Sequence, residues 1–310
     1  MKSAYALVLA IGAGLLVVPA ATAPAKAQDP AINKKLNAYI GCINRLSERS
    51  YDSRRRYFSW VSKNGPTGKE RIIYGLYTIY DTTDCKKKVE QANAMEPRDP
   101  TLETAASNYA EAVGILEGLL KEADDYYTQE NYKDDKMAKG RAMHPRLIAG
   151  WDAFASADQK LRTSIDELQD VMAAQRIAEI ERTEGIKERY HIEAVMLSAK
   201  RLMRVQSNAK PDIAAITKAL EDYEAIVKAT DTFAEENKGS KIGSSFVNAS
   251  KSFLTTAKQL MRRVRDKVPY SQGDKMMLDA GGGWMVEGSP ARLTRDYNQL
   301  VSSYNQGGRF

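Results

Sequence analysis

Histidine is nearly absent from this chain: His144 and His191 are the only two in 310 residues. With that scarcity any acid–base catalysis would fall mainly on carboxylates, because neutral-pH proton transfer falls most often to histidine. Glu188-Arg-Tyr-His191 is half of a ferritin-like di-metal pattern, but such a site needs a second Glu-x-x-His. Arg141, not glutamate, stands three residues before His144. The pair therefore reads as a solvated i, i+3 contact on a helix. No Gly-x-Ser-x-Gly occurs, and Gly281-Gly282-Gly283 runs into Trp284 without the Lys-Ser/Thr of a phosphate loop. The expectation is a protein that is not an enzyme, with no cofactor and no resident metal.

Long uncharged runs are also missing after residue 18. Ala4 to Val18 is apolar, follows Lys2, and is short of the ~20 residues that span a bilayer. Pro19 ends it, and Ala25-Lys26-Ala27 offers the small-x-small pattern of a signal-peptidase site. Residues 1–27 are thus expected to be a cleavable signal peptide, and residues 28–310 the mature, periplasmic protein without a membrane span. No cysteine lies near the cut, so no lipid anchor is expected. Losing Lys2 and Lys26 lowers the net charge from +6 to +4, too mild a surplus for a dedicated nucleic-acid binder.

Cysteine is scarce too, with Cys42 and Cys85 alone. An even count in an oxidising compartment favours a disulfide. The midpoint between them falls in Lys63-Asn64-Gly65-Pro66, a turn sequence. If helices flank that turn as an antiparallel hairpin, the two sulfurs lie level, where a bridge forms.

What is abundant is helical periodicity. Ile32, Leu36, Tyr39, Ile43 and Leu46 share one face of a first helix. A capping box, Thr67-Gly-Lys-Glu70, heads a predicted second helix carrying Ile72, Leu76, Ile79 and Thr83. Asp29-Pro30, Asp99-Pro100 and Ser289-Pro290 each pair an N-cap residue with proline at the first helical position. A third helix spans Pro100 to Tyr127, and a fourth starts near Pro145 and continues past Gly185 towards Val205. Ile213, Ile216, Leu220, Tyr223, Val227 and Thr230 form one three-four stripe. Phe246, Ser250, Phe253, Ala257, Leu260 and Val264 form another. These predict a coiled-coil-like antiparallel pair turning near Lys238-Gly239-Ser240. Residues 268–288 read as irregular, and a short helix closes the chain. The fold class is all-α, an extended antiparallel helical bundle, with Lys210-Pro211 a weak sub-boundary.

Several segments resemble the YiiG-like family of bacterial exported proteins, a domain of unknown function. They are Leu36-Asn-Ala-Tyr-Ile-Gly-Cys-Ile-Asn44, Tyr51-Asp-Ser-Arg-Arg-Arg-Tyr57 with Trp60, and Tyr132-Lys-Asp-Asp135. His144-Pro-Arg-Leu147, Trp151-Asp-Ala-Phe154, Arg295-Asp-Tyr-Asn-Gln-Leu-Val301 and Tyr304-Asn305 complete the set. The resemblance implies a helical exported domain and no activity. Some relatives are lipoproteins, but the lipid-attachment cysteine is lacking here.

Two binding readings follow. In the first, the surface docks an envelope protein or another cell-envelope component. The basic runs Arg54-Arg55-Arg56, Lys86-Lys87-Lys88 and Arg262-Arg263-x-Arg265 bear on it, since cations attract anionic headgroups or lipopolysaccharide. Their plainer role is a solvated helix face. The second reading is a small-ligand or metal pocket between helices, with Tyr132, Asp134, Asp135, His144 and Trp151 as candidate ligand-binding residues. Glu122, Asp124 and Asp125 with Tyr126 and Tyr127 enrich the same stretch, although packing is the commoner role for tyrosine.

Overall fold

Nine α-helices account for most of the described residues, which are 30–208 and 210–307 of this computed structural model. The signal-peptide segment and the Asp29 cap lie outside them. The helices are α1 (Pro30–Phe58), α2 (Thr82–Asn93), α3 (Pro100–Thr128), α4 (Ala138–Glu184) and α5 (Glu188–Gln206). Then follow α6 (Ile213–Glu236), α7 (Ser244–Arg265), α8 (Gln272–Asp279) and α9 (Pro290–Gly307). No β-strand is present among the described residues, and none of these helices is long and apolar enough to cross a membrane.

Two of the cap signals work as read. Asp99 Oδ1 accepts the Leu102 amide at 3.1 Å, and Ser289 Oγ accepts that of Arg292 at 3.0 Å. The predicted stripe of α1 is buried throughout. So are Ile216 to Thr230 on α6 and Phe246 to Leu260 on α7. The α6–α7 hairpin also packs on α5 and α9 around one shared core, so its stripes serve a small bundle and not an isolated two-stranded seam.

Four boundaries differ from expectation. Helix α4 begins at Ala138, before Pro145, because Asp135 accepts the Ala138 and Lys139 amides and caps it early. Pro145 then sits inside the helix, where it forfeits one backbone bond. The same helix stops at Glu184: Gly185 takes φ 84° and ψ −179°, a conformation essentially reserved for glycine. Within 268–288, Ser271 and Asp274 form a reciprocal capping box and nucleate α8.

The fourth difference is the largest. The predicted second helix does not form over 67–81, and regular structure resumes only at Thr82. Glu70 does reach back to Thr67 and Gly68, so the local turn is made. The chain beyond it, Ile72-Ile73-Tyr74 through Tyr77-Thr78-Ile79-Tyr80, is β-branched and aromatic and disfavours a helix. It runs as an irregular strap along α1, burying Leu76 and Ile79.

Two hydrophobic cores result. One joins α1, the strap, α2, α3 and the first half of α4, ending near Ile165. The other begins near Ile192 and joins α5, α6, α7 and α9. Lys210 and Pro211 link α5 to α6, and α4, about 70 Å long at 1.5 Å per residue for its 47 residues, runs between the two cores.

Candidate functional site

Cys42 and Cys85 are bonded, with Cα atoms 5.4 Å apart. Cys42 lies on α1 and Cys85 in the first turn of α2, both fully buried. The bridge therefore ties α1 to the far end of the strap, not to a second long helix. The pairing is as expected, while the helical hairpin used to argue for it is absent.

The inner side of this region gathers aromatic rings. Tyr57 is wholly buried, and its ring centroid lies 5.3 Å from Trp151, 5.6 Å from Trp60 and 5.8 Å from His144. His144 Nε2–H donates to the Lys63 carbonyl at 3.3 Å, which leaves Nδ1 to accept the Tyr57 hydroxyl at 3.0 Å. The imidazole also packs against Gly65, where a Cβ would come within 3.2 Å of the ring. His144 thus fixes the turn that starts the strap. Trp151 is 1% exposed and fills the core beside Tyr57 and Phe58.

The remaining candidates lie to one side. The Tyr132 ring lies tilted beside Tyr127, their centroids 6.5 Å apart. Asp135 accepts the Tyr126 hydroxyl at 2.7 Å while capping α4. Burial opposes its ionisation, but these donors outweigh burial and hold its carboxyl below the ordinary range. Asp134 is exposed. The structure thus joins His144 and Trp151 through Tyr57, brings Tyr132 and Asp135 to the neighbouring Tyr126–Tyr127 pair, and leaves Asp134 at the surface. Rings touching rings fill this volume.

Its chemistry is correspondingly quiet. Burial pushes the Tyr57 hydroxyl up to about 12, against a smaller opposing effect of the Tyr127 hydroxyl, and burial likewise pushes Tyr126 up to about 12. These phenols stay neutral near pH 7. The nearby acids are engaged as well: Asp124 accepts the Leu76 amide at 2.9 Å, and Glu122 pairs with Lys139 and Arg146. His191, expected at a solvated surface, is instead buried: its ring lies 4.6 Å from Phe233 and burial lowers its pKa. Glu188 does not pair with it and accepts the Lys241 amide. Among the described residues no group of three His, Cys, Asp or Glu is placed to hold a metal ion.

The outer side of the strap is different. Tyr74, Tyr77 and Tyr80 recur every three residues, and Tyr74 and Tyr80 are 40% and 67% exposed. Arg49 and Arg56 of α1 lie over Tyr74 and Tyr77. The Arg49 guanidinium is 4.3 Å from the Tyr77 centroid, and that of Arg56 is 4.6 Å from Tyr74 and 4.8 Å from Tyr77. Both are aimed by backbone: Arg56 Nε donates to the Gly75 carbonyl at 2.8 Å and Arg49 Nε to that of Thr78 at 3.3 Å. A Cβ at Gly75 would meet Asp124 Oδ1 and Thr128 Oγ1, so a larger residue there would displace the carboxylate that accepts the Leu76 amide. Sequence reasoning missed this face by assigning a helix to it. The signal was the β-branched and aromatic run from Ile72 to Tyr80. Of the basic runs, Arg54 pairs with Asp152, Arg55 with Asp52, Lys88 with Asp84 and Arg265 with Asp266.

Sequence comparison adds kinship and no activity. The chain is 37% identical over 301 residues to "Uncharacterized protein YiiG" of Escherichia coli (strain K12), covering 93% of this chain and 85% of that protein. No solved structure matches. Residues 31–306, nearly all of the described fold, match the family model described as "Protein of unknown function (DUF3829)". On the strength of both matches, the chain belongs to this YiiG-like DUF3829 family.

Proposed function

We propose that this protein is exported to the periplasm through its cleaved N-terminal segment, without a lipid anchor, and acts there as a non-catalytic binding protein. Its partner is an envelope component, an anionic glycolipid docked on the strap. The observation that carries this reading is the stacking of Arg49 and Arg56 on Tyr77 and Tyr74 at an exposed, non-helical surface. The exposed ring of Tyr80 suits a sugar face, and the outer edges of the stacked guanidinium groups suit phosphate and carboxylate. Exposed Lys69 and Arg71 add to the positive side, while Glu70 is occupied with Thr67 and Asp81 with Arg45. The face is also held in place, by the disulfide at one end and His144 at the other, so little ordering accompanies docking.

The test is co-sedimentation of the mature protein with phosphatidylcholine vesicles that contain or lack lipopolysaccharide. Binding only to the lipopolysaccharide vesicles, weakening as salt rises, is expected. Tyr74→Ala/Tyr77→Ala should reduce it about tenfold or more, because each ring also holds an arginine in place. Equal binding to both vesicle types, or no loss in the double variant, refutes the reading.

A further inference from the structure

The chain has eleven methionines, and three of them, Met276, Met277 and Met285, fall within ten residues. The fold gathers them at the end of α8. Gly281 takes φ 77°, its amide donates to the Leu278 carbonyl at 3.2 Å, and the Gly282 amide donates to that of Met277 at 2.7 Å. This is a Schellman ending, in which a left-handed glycine turns the chain back over the last helical turn. The Met285 amide then donates to the Gly282 carbonyl at 3.0 Å. Met277 and Met285 are thus tied by backbone to the same glycine. A Cβ at Gly282 would lie 3.1 Å from the Met285 methyl and 3.3 Å from the Met277 methyl, so the two thioether ends meet over it.

These side chains are not used in packing. Met276 is 66% exposed, Met285 47%, and Met277 is half-buried. None of the three joins either hydrophobic core. Each is unbranched with three rotatable bonds, so Met276, one position before Met277, can swing towards the other two.

A thioether sulfur is a soft donor, and soft donors select Cu(I), while carboxylate and carbonyl oxygens suit Mg(II) or Ca(II). No thiolate competes for such an ion, because Cys42 and Cys85 are bonded to each other and buried. The local charge admits a cation. Helix α8 carries two carboxylates, Asp274 and Asp279, against the single ammonium of Lys275. Arg295, whose guanidinium lies 5.6 Å from the Trp284 ring, is paired with Asp296 at 2.7 Å.

We infer that Met276, Met277 and Met285 form a site for a soft monovalent metal ion, Cu(I), held by their three sulfurs. The inference is independent of the strap and of its glycolipid.

Anaerobic titration of the mature protein with Cu(I), in competition with the chromogenic chelator bicinchoninate, tests it. A single bound ion is expected, with sulfur and no nitrogen neighbours in X-ray absorption. No proton has to leave a thioether, so the affinity should be the same at pH 7 and pH 5, and excess Zn(II) should not displace the ion. Met276→Leu/Met277→Leu/Met285→Leu keeps the apolar bulk and should weaken binding about tenfold or more, with helical circular dichroism unchanged. Met172→Leu/Met196→Leu, on α4 and α5, should bind Cu(I) as the wild type does. No binding against the chelator, nitrogen neighbours, a loss at pH 5, displacement by Zn(II), or undiminished affinity in the triple variant overturns the inference.

Discussion

At the scale of single residues, the buried charges are the most informative. Glu103 on α3 is almost wholly buried between Lys35 Nζ at 2.6 Å and the Arg98 guanidinium at 2.7 Å. Arg98 hydrogen bonds, against the opposing effect of burial and with help from Lys35, hold its carboxyl at about 2. Its folded pKa is below the unfolded value near 4.5, so its contribution is complete above 4.5 and is lost as the pH falls towards 2. Glu103→Gln should lower stability by about 3 kcal/mol at pH 7, because the neutral amide removes the counter-charge of the buried Lys35. The variant should also flatten the acid limb of a urea-midpoint titration between pH 4.5 and 2. An acid limb as steep as the wild type would contradict this assignment. His191 has the same sign from the opposite chemistry. Burial lowers its pKa from 6.5, so the unfolded chain binds the proton more readily and stability falls as the pH drops below 6.5. Its neighbours Thr230, Phe233 and Tyr190 offer no counter-charge. His191→Gln should remove that dependence, read by chemical denaturation at pH 7 and pH 5. The sequence marked His191 as an i, i+3 partner of Glu188; it could not show that α6 would cover the ring with Phe233.

At the scale of elements, the long periodic helices were legible, because their stripes and caps agree with one another. The strap was not, because two signals conflicted. Thr67 and Glu70 wrote a helix start, and the residues after them wrote an extended chain. Tertiary packing of Leu76 and Ile79 decided between them. The disulfide was legible as a pair and not as an arrangement, since symmetry about a turn holds for any antiparallel return, helical or not. Its closed loop spans a separation of 43 residues, which corresponds to about 4 kcal/mol of loop-closure entropy. Cys42→Ser/Cys85→Ser should lose an amount of that order in equilibrium unfolding; a loss below about 1 kcal/mol would contradict it. Gly185→Ala should cost about 1–3 kcal/mol, because ψ near 180° at positive φ is closed to residues with a Cβ. An unchanged unfolding midpoint would show that the α4–α5 turn relaxes freely.

At the scale of the whole molecule, an all-α chain of capped helices was readable from periodicity alone. The division into two cores along α4 was not, because one uninterrupted helix contributes to both with no break in its pattern. The aromatic cluster around Tyr57 was legible in residue type and not in role. Tyr132, His144 and Trp151 were singled out as ligand-binding; the fold sets His144 against the turn at Lys63 and Gly65 and packs Trp151 on Tyr57 and Phe58 of α1. The ion pairs between α4 and α5 left no sequence mark, since they depend on α5 folding back at Gly185. Two cores predict two calorimetric transitions. Reduction of the disulfide should lower only the one belonging to the core that contains Cys42 and Cys85, and an equal shift of the whole profile would contradict separate cores. The central claim concerns the strap, and hydrogen–deuterium exchange of the mature protein with and without lipopolysaccharide vesicles tests it most directly. The account predicts new protection confined to the strap residues 69–81 and the facing turns of α1 around Arg49 and Arg56. Protection elsewhere, or none at vesicle concentrations that sediment the protein, would contradict it.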